Sequence, residues 1–280
     1  MLSGITITCF AASYGVSLVL EVSRLFFRTA VRVPVIYAFA GAGLFAHTSY
    51  LITRTRSEIA AGRGIPPLSS WYDFCLLAAW MLVVAYLIIG IRRPQNAVGI
   101  FFLPLILALI GVAVPLYETA SFRTQTALGF WRSVHGFALA TGTATVTLGF
   151  ATGLMYLAQS YRLKHKLPPR PGFRLPTLEW LQRFNRESLI FSTCLLALGL
   201  LSGVILNSTH RTGQGRAIQW TDPVVLSSGV LFAWLILATV FEFFYRPARQ
   251  GQKVAYLTLA NFVFLCLALY FVLFGEHAVQ

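Results

Sequence analysis

Charged residues are scarce in this sequence. Only 11% of its 280 residues are Asp, Glu, Lys or Arg, whereas a soluble domain typically carries about 25%. The chain therefore lacks the polar surface that a water-soluble protein needs. Because 57% of its residues are hydrophobic, much of the protein surface must be apolar and face lipid. A soluble globular enzyme is therefore excluded.

Several motifs that carry common chemistries are also missing. The sequence contains no Walker loop, no GxGxxG, no HExxH and no credible hydrolase triad. It has four cysteines but no CxxC pair, which excludes both a covalent haem-attachment motif and a thiol-redox motif. All four lie in apolar runs, and we expect them to be buried small hydrophobes: Cys9, Cys75, Cys194 and Cys266.

Long apolar runs dominate what is present. Crossing about 30 Å of hydrocarbon takes roughly 20 mainly apolar residues in a helix. Eight stretches meet this test, at about 5–25, 33–52, 71–91, 97–116, 131–160, 187–206, 223–245 and 254–274. The first lacks the basic flank and cleavage pattern of a signal peptide, so we expect it to be retained. The sequence predicts an all-α polytopic membrane protein, a bundle of about eight transmembrane helices in a single domain over 1–280.

The distribution of cations predicts the orientation in the membrane. With these spans, fifteen of the 22 Lys and Arg residues fall on one side and seven on the other. The positive-inside rule makes the first side cytoplasmic and places both termini on the outer side of a cytoplasmic (inner) membrane. The largest cytoplasmic loop, about 161–186, is strongly basic. Topogenic charge explains it, and contact with anionic lipid or a cytosolic partner is the alternative.

The formal net charge of +13 does not indicate nucleic-acid binding. Membrane proteins concentrate Lys and Arg in cytoplasmic loops, and no basic stretch here interleaves with aromatic residues as a nucleic-acid groove would. The lipid bilayer is therefore the expected partner, and nucleic acid is not.

Four of the five histidines fall on the predicted outer side: His47, His135, His210 and His277. Imidazole is a good axial ligand for haem iron, and two histidines from different helices at similar depth can hold a porphyrin from both faces. His135 and His277 meet that condition. For each histidine taken alone, a hydrogen-bonded structural role is the alternative.

Aromatic, basic and acidic residues collect on the same outer side. Trp131 and Arg132 open the fifth span, and Trp220 and Asp222 lead into the seventh. Trp faces could stack on a porphyrin while Arg132, on roughly the same helix face as His135, pairs with its propionates. An interfacial aromatic belt and a helix N-cap at Asp222 are the alternatives.

Two glutamates lie within the predicted spans, Glu21 and Glu242. Ionisable groups within a membrane are costly and suggest function. Both lie near predicted cytoplasmic ends, however, with Arg24 three residues and Arg246 four residues away. We predict an interfacial ion pair for each.

A series of short motifs on the outer side resembles a known family. They are His47-Thr48-Ser49-Tyr50-Leu51, Gly64-Ile65-Pro66-Pro67, Trp71-Tyr72-Asp73, Trp131-Arg132-Ser133-Val134-His135-Gly136, Leu200-Leu201-Ser202-Gly203-Val204 with Asn207, Gln219-Trp220-Thr221-Asp222-Pro223, and Glu276-His277. In order, spacing and sidedness they resemble the CcsA/CcmC-type cytochrome c assembly family, and especially its HemX-like eight-span branch.

The resemblance implies a function. Such proteins bind haem b at the outer face and present it for cytochrome c maturation, beside a second assembly protein or apocytochrome c. His135 and His277 would be the axial ligands, with Trp220 and Asp222 in the haem-facing loop, and the chain would not be an enzyme on its own.

Two departures from the family pattern keep alternatives open. The haem-facing loop has one tryptophan, Trp220, where the family has several, and Glu242 stands where assembly proteins can carry a membrane histidine. A HemX-like regulatory or scaffold protein that binds no haem, or a subunit of a larger membrane complex, is therefore the alternative. Secondary transport has only the number of spans in its favour.

Overall fold

The computed structural model describes residues 6–26, 32–60, 68, 70–117, 129–168, 172–212, 223–244 and 251–274. These residues form eight α-helices, and no β-strand occurs among them apart from one isolated bridge. The helices are α1 (Ile7–Ser23), α2 (Arg32–Ala60), α3 (Trp71–Arg92), α4 (Gly99–Ala113), α5 (Gly129–Lys164), α6 (Leu178–Thr212), α7 (Pro223–Phe244) and α8 (Gly251–Phe274).

Seven of these helices are long and apolar enough to cross a membrane, and α1 is a shorter apolar helix of 17 residues. The all-α, multi-pass architecture predicted from the sequence is therefore confirmed. Each predicted span overlaps one helix.

The helices pack as two groups of four. Helix α1 contacts α2 and α4, and α3 contacts α2 and α4. In the second group, α6 contacts α5, α7 and α8, and α8 also contacts α5 and α7. Contacts of α5 with α3 and α4 join the two groups. Buried aromatic residues fill the first core, among them Tyr14, Tyr86 and Phe102, and aliphatic residues such as Leu189 and Leu235 fill the second.

The contact between α5 and α6 is the most extensive in the bundle. Both helices are rich in Gly, Ser and Thr along it, and small residues let two backbones approach closely in a membrane. A Cβ at Gly142 would lie only 3.2 Å from Leu196, and one at Gly199 only 2.6 Å from Leu139. The small residues of both helices therefore allow this close packing.

One end of the bundle, here called the basic end, is closed by a network around Glu21 and Arg24. Glu21 Oε1 accepts a hydrogen bond from the backbone N–H of Gly99, at the start of α4, where the helix dipole favours a negative charge. Glu21 Oε2 lies 3.4 Å from Arg24, which confirms the predicted ion pair. Arg24 also donates to backbone carbonyls of residues 94–96, so the end of α1 is tied to the turn between α3 and α4.

The connection between α5 and α6 packs against the same turn. The N–H of Ala97 donates to the carbonyl of Arg174 at 2.8 Å, and Arg162 donates to the carbonyl of Phe173. Gly172 has a φ of +96°, and a Cβ there would fall on the carbonyl oxygen of Arg24. Glycine is therefore required at this position.

The predicted loop at about 161–186 is shorter than expected. Helix α5 continues to Lys164 and α6 already begins at Leu178, where Thr177 accepts a hydrogen bond from the N–H of Trp180. The first turns of α6 are amphipathic and extend beyond the apolar stretch. Helix α6 therefore begins nine residues before the apolar span predicted from 187.

Glu242 also forms an ion pair, but with a residue of another helix. Its Oε1 lies 3.6 Å from Arg186 Nε on α6, and the carboxylate is buried. The partner predicted from sequence, Arg246, lies outside the described residues. The ion pair with Arg186 links α6 to α7.

The prediction that all four cysteines are buried is wrong for three of them. Only Cys75, on the central helix α3, is buried, while Cys9, Cys194 and Cys266 are exposed on helix surfaces. In a membrane, an apolar run has a lipid-facing side as well as a packed side, and hydropathy does not distinguish them. All four thiols are free.

The network at the basic end predicts a clear difference between two glutamate variants. Glu21→Ala leaves Arg24 without its buried partner and the start of α4 without its acceptor, and we expect it to lower the free energy of unfolding by about 3 kcal/mol. Glu187→Ala removes only the exposed pair with Arg183 and should change it by about 0.5 kcal/mol or less. Thermal unfolding in detergent measures both, and equal melting temperatures for the two variants would contradict this account.

Candidate functional site

His135 lies at the other end of the bundle, here called the histidine end, in the second turn of α5. Its Nδ1 is 2.7 Å from the carbonyl oxygen of Gly199 on α6. Because a carbonyl can only accept, Nδ1 carries the proton and donates. In a neutral imidazole the lone pair is then on Nε2. This is the arrangement by which proteins orient metal-ligating histidines.

Two glycines of α6 make this contact possible. A Cβ at Gly203 would lie 2.9 Å from His135 Cε1, and one at Gly199 would collide with Leu139. The hydroxyl of Ser202 lies 3.5 Å from the same Nδ1 and also hydrogen-bonds the carbonyl of Gly199. Helix α6 thus presents a face without side-chain bulk, and the imidazole lies against it.

Trp131 and Arg132 lie on the first turns of α5, as the sequence predicts. Both are partly buried, and the Trp131 ring contacts Phe130 edge-on at 5.6 Å between centroids. Arg132 precedes His135 by three residues, which places both on one face of the helix. An indole, a guanidinium and an imidazole are therefore close together at the start of α5.

His47 occupies a separate contact, between α1 and α2. Its ring stacks on Phe10 with centroids 4.2 Å apart and planes 2° from parallel, and the hydroxyl of Tyr14 is 3.4 Å from its Nδ1. The side chain is fully buried, and its Nε2 has no hydrogen-bond partner among the residues that the structure describes. One face of the imidazole is covered by protein. The assignment of His47 to a cofactor site stays a prediction.

The remaining predicted site residues lie beyond what the structure covers. His277, Trp220 and Asp222 lie outside the described residues. His210 belongs to the last turn of α6, and its side chain is outside the description as well. Among the residues described, no group of three or more His, Cys, Asp or Glu side chains could hold a metal ion.

His135 fits the role of a haem ligand. An imidazole whose Nδ1 is hydrogen-bonded to a backbone carbonyl can supply one axial ligand through Nε2. Haem needs no larger set of protein donors than its axial ligands. Arg132, on the same face of α5, is a suitable partner for an anionic propionate. At this end of the bundle, α5 thus carries an oriented imidazole and a cation on one face.

The sequence did not reveal the partners of His135. A backbone carbonyl acceptor, here that of Gly199, cannot be inferred from side-chain identity. The sequence also missed that Arg54 pairs with Asp73 across the α2–α3 contact. One signal was available for Arg54. It follows His47 by two helical turns, so a buried His47 would have placed Arg54 on the packed face of α2.

Comparison with known proteins gives one result. The family model described as cytochrome C assembly protein matches residues 68–278, which is most of the chain. The match includes His135 and His277. No curated protein matches the sequence.

The close approach of α6 predicts that Gly203 is sensitive to a single added carbon. Gly203→Ala should displace the His135 ring and weaken its hydrogen bond to Gly199, and we expect a lower melting temperature. Gly229→Ala on α7 is the matched control, since nothing lies within 4 Å of a Cβ there. Thermal unfolding of both variants in detergent tests this, and a Gly203→Ala protein as stable as the control would show that the contact is looser than described.

Proposed function

Given that the chain belongs to the cytochrome c assembly protein family, we propose that it holds haem b at the histidine end for cytochrome c maturation. The axial ligands in this proposal are His135 and His277. The family match covers both residues and supports a role in this process. The HemX-like branch, suggested by eight helices, stays a prediction within the family.

The observation that carries the proposal is the orientation of His135. Its Nδ1 donates to Gly199 O at 2.7 Å, so the proton is fixed on the nitrogen that faces α6. Nε2 keeps its lone pair and is available to iron. An axial ligand to haem iron requires an unprotonated ring nitrogen of this kind.

The other predicted residues have proposed roles around the same cofactor. Arg132 pairs with a propionate, and Trp131 and Trp220 pack against the porphyrin. Asp222 belongs to the haem-facing loop in this proposal, and His210 and His47 are further candidate cofactor-binding residues. When bound, haem supplies a redox-active iron, while the chain ligates it, orients it and limits its access to water.

Haem binding of this kind needs a recipient. The chain contributes ligation and orientation rather than proton transfer or nucleophilic chemistry, so it is not an enzyme on its own. A second cytochrome c assembly protein or apocytochrome c is the proposed partner at the histidine end.

The proposed location is a cytoplasmic (inner) membrane with the histidine end outside. The support is the concentration of cations at the basic end together with the positive-inside rule. Both termini are then on the outer side. Alkaline phosphatase fused to the C-terminus should be active in a bacterial host, and an inactive but intact fusion would reverse the orientation.

The proposal predicts that haem binding depends on two histidines. Detergent-purified wild-type protein should show a haem absorption band in oxidised and reduced spectra. His135→Ala and His277→Ala should each bind added haem at least about tenfold more weakly, since each removes a ligand. His165→Ala is the matched control, because His165 is exposed at the basic end and its Nδ1 contacts only the carbonyl of Tyr161.

Two outcomes would contradict the proposal. A wild-type protein that remains folded but shows no haem band, even after haem is added, would favour the regulatory or scaffold function. A band of equal intensity in the three histidine variants would mean that haem binds elsewhere.

A further inference from the structure

A buried polar cluster joins α2 to the start of α3 at the histidine end. Ser70 caps α3, since its hydroxyl accepts from the N–H of Asp73 and donates to Asp73 Oδ2 at 2.9 Å. The other carboxylate oxygen accepts from Arg54 Nε on α2. Both carboxylate oxygens of Asp73 thus accept a hydrogen bond, as a buried carboxylate requires.

Tyrosines surround this ion pair. The guanidinium of Arg54 lies over the ring of Tyr72, 4.6 Å from its centroid, and 5.7 Å from that of Tyr117. The hydroxyl of Tyr72 hydrogen-bonds Tyr50 on α2. The Asp73 side chain is only 3% exposed, so the pair is shielded from water and its geometry is well defined.

The chain segment just before this cluster reaches α5. Leu68, two residues before Ser70, lies on Gly136, where an added Cβ would be 2.7 Å from Leu68 Cδ1 and 3.3 Å from its Cβ. Gly136 is the residue after His135. The absence of a side chain at 136 therefore lets Leu68 pack directly on the backbone that carries the imidazole.

The second turn of α5 is thus held from two sides. On one side are Gly199 and Gly203 of α6, against which the His135 ring lies, and on the other is Leu68. Moving Leu68 would leave a gap beside Gly136, and the helix would shift or rotate toward it. The angle at which His135 Nε2 points would then change.

We infer that Asp73 is a positioning residue for His135, acting through Ser70 and Leu68 on Gly136. This inference rests on the proposed role of His135 as a haem ligand. Asp73 does not touch the imidazole. It is hydrogen-bonded to Ser70 at the start of α3. Leu68 precedes Ser70 by two residues and packs on the second turn of α5.

The competing explanation is that the cluster only stabilises the contact between α2 and α3. A second link in that contact separates the two explanations. Trp80 Nε1 donates to Thr48 Oγ1 at 2.8 Å, and Trp80 lies two helical turns beyond Asp73 on α3. Thr48→Val removes this hydrogen bond and keeps the shape of the side chain, so it weakens the α2–α3 contact at a distance from Ser70.

The experiment compares Asp73→Asn, Leu68→Ala and Thr48→Val with the wild type. The first readout needs no haem: the rate at which diethyl pyrocarbonate modifies the Nε2 of His135, followed by mass spectrometry of peptides. His165 is exposed at the far end and serves as the internal standard. The second readout is the dissociation constant for added haem.

We expect Asp73→Asn and Leu68→Ala to change the His135 modification rate several-fold and to weaken haem binding about tenfold, as loss of an orienting residue typically does. Thr48→Val should leave both values unchanged. Wild-type values in Leu68→Ala would overturn the inference, even if Asp73→Asn failed to fold. A change in Thr48→Val as large as that in Leu68→Ala would overturn it as well. If no variant or wild type binds haem, the modification rates still decide the positioning role, and only the proposed function fails.

Discussion

The arrangement of the histidine end depends on the close approach of α5 and α6, which the hydrogen bond from His135 Nδ1 to the Gly199 carbonyl bridges at 2.7 Å. In a membrane, this bond has little competition from water, and an unpaired imidazole N–H would be costly. Two glycines make the approach possible, because side chains at 199 or 203 would collide with α5. The same small residues therefore have two effects. They let the two helices approach, and they place the Gly199 carbonyl at Nδ1, which leaves Nε2 as the free imidazole nitrogen.

The two ends of the bundle are built differently. At the basic end, Glu21 and Arg24 satisfy backbone groups of the α3–α4 turn and the start of α4, which closes that end with charge-assisted hydrogen bonds. At the histidine end, Arg54 and Asp73 pair with each other inside an aromatic shell. The first network ties helix ends together. The Arg54–Asp73 network lies close to the proposed ligand, because Leu68, which precedes it, packs on Gly136 beside His135. A change in the position of this network can therefore reach His135.

The fold was largely predictable from the sequence because lipid imposes a simple rule: about 20 apolar residues per crossing. That rule fails where a helix leaves the membrane, and the amphipathic start of α6 at Leu178 was therefore missed. It also says nothing about which side of a helix faces lipid, so Cys9 was expected to be buried and is exposed. His135 was identified by its place in a motif. Its acceptor, the carbonyl of Gly199, could not be identified, because a backbone atom is common to every residue and only the tertiary structure selects one.

The most direct test of the account is the protonation of the two ring nitrogens of His135 in the haem-free protein. Nitrogen NMR of protein labelled with ¹⁵N-histidine distinguishes them, and comparison with His135→Gln assigns the signals. The hydrogen bond to Gly199 predicts that Nδ1 is protonated and that Nε2 is not. A protonated Nε2 with a bare Nδ1 would contradict the account, because the carbonyl of Gly199 would then lack its donor and iron would lack its ligand atom.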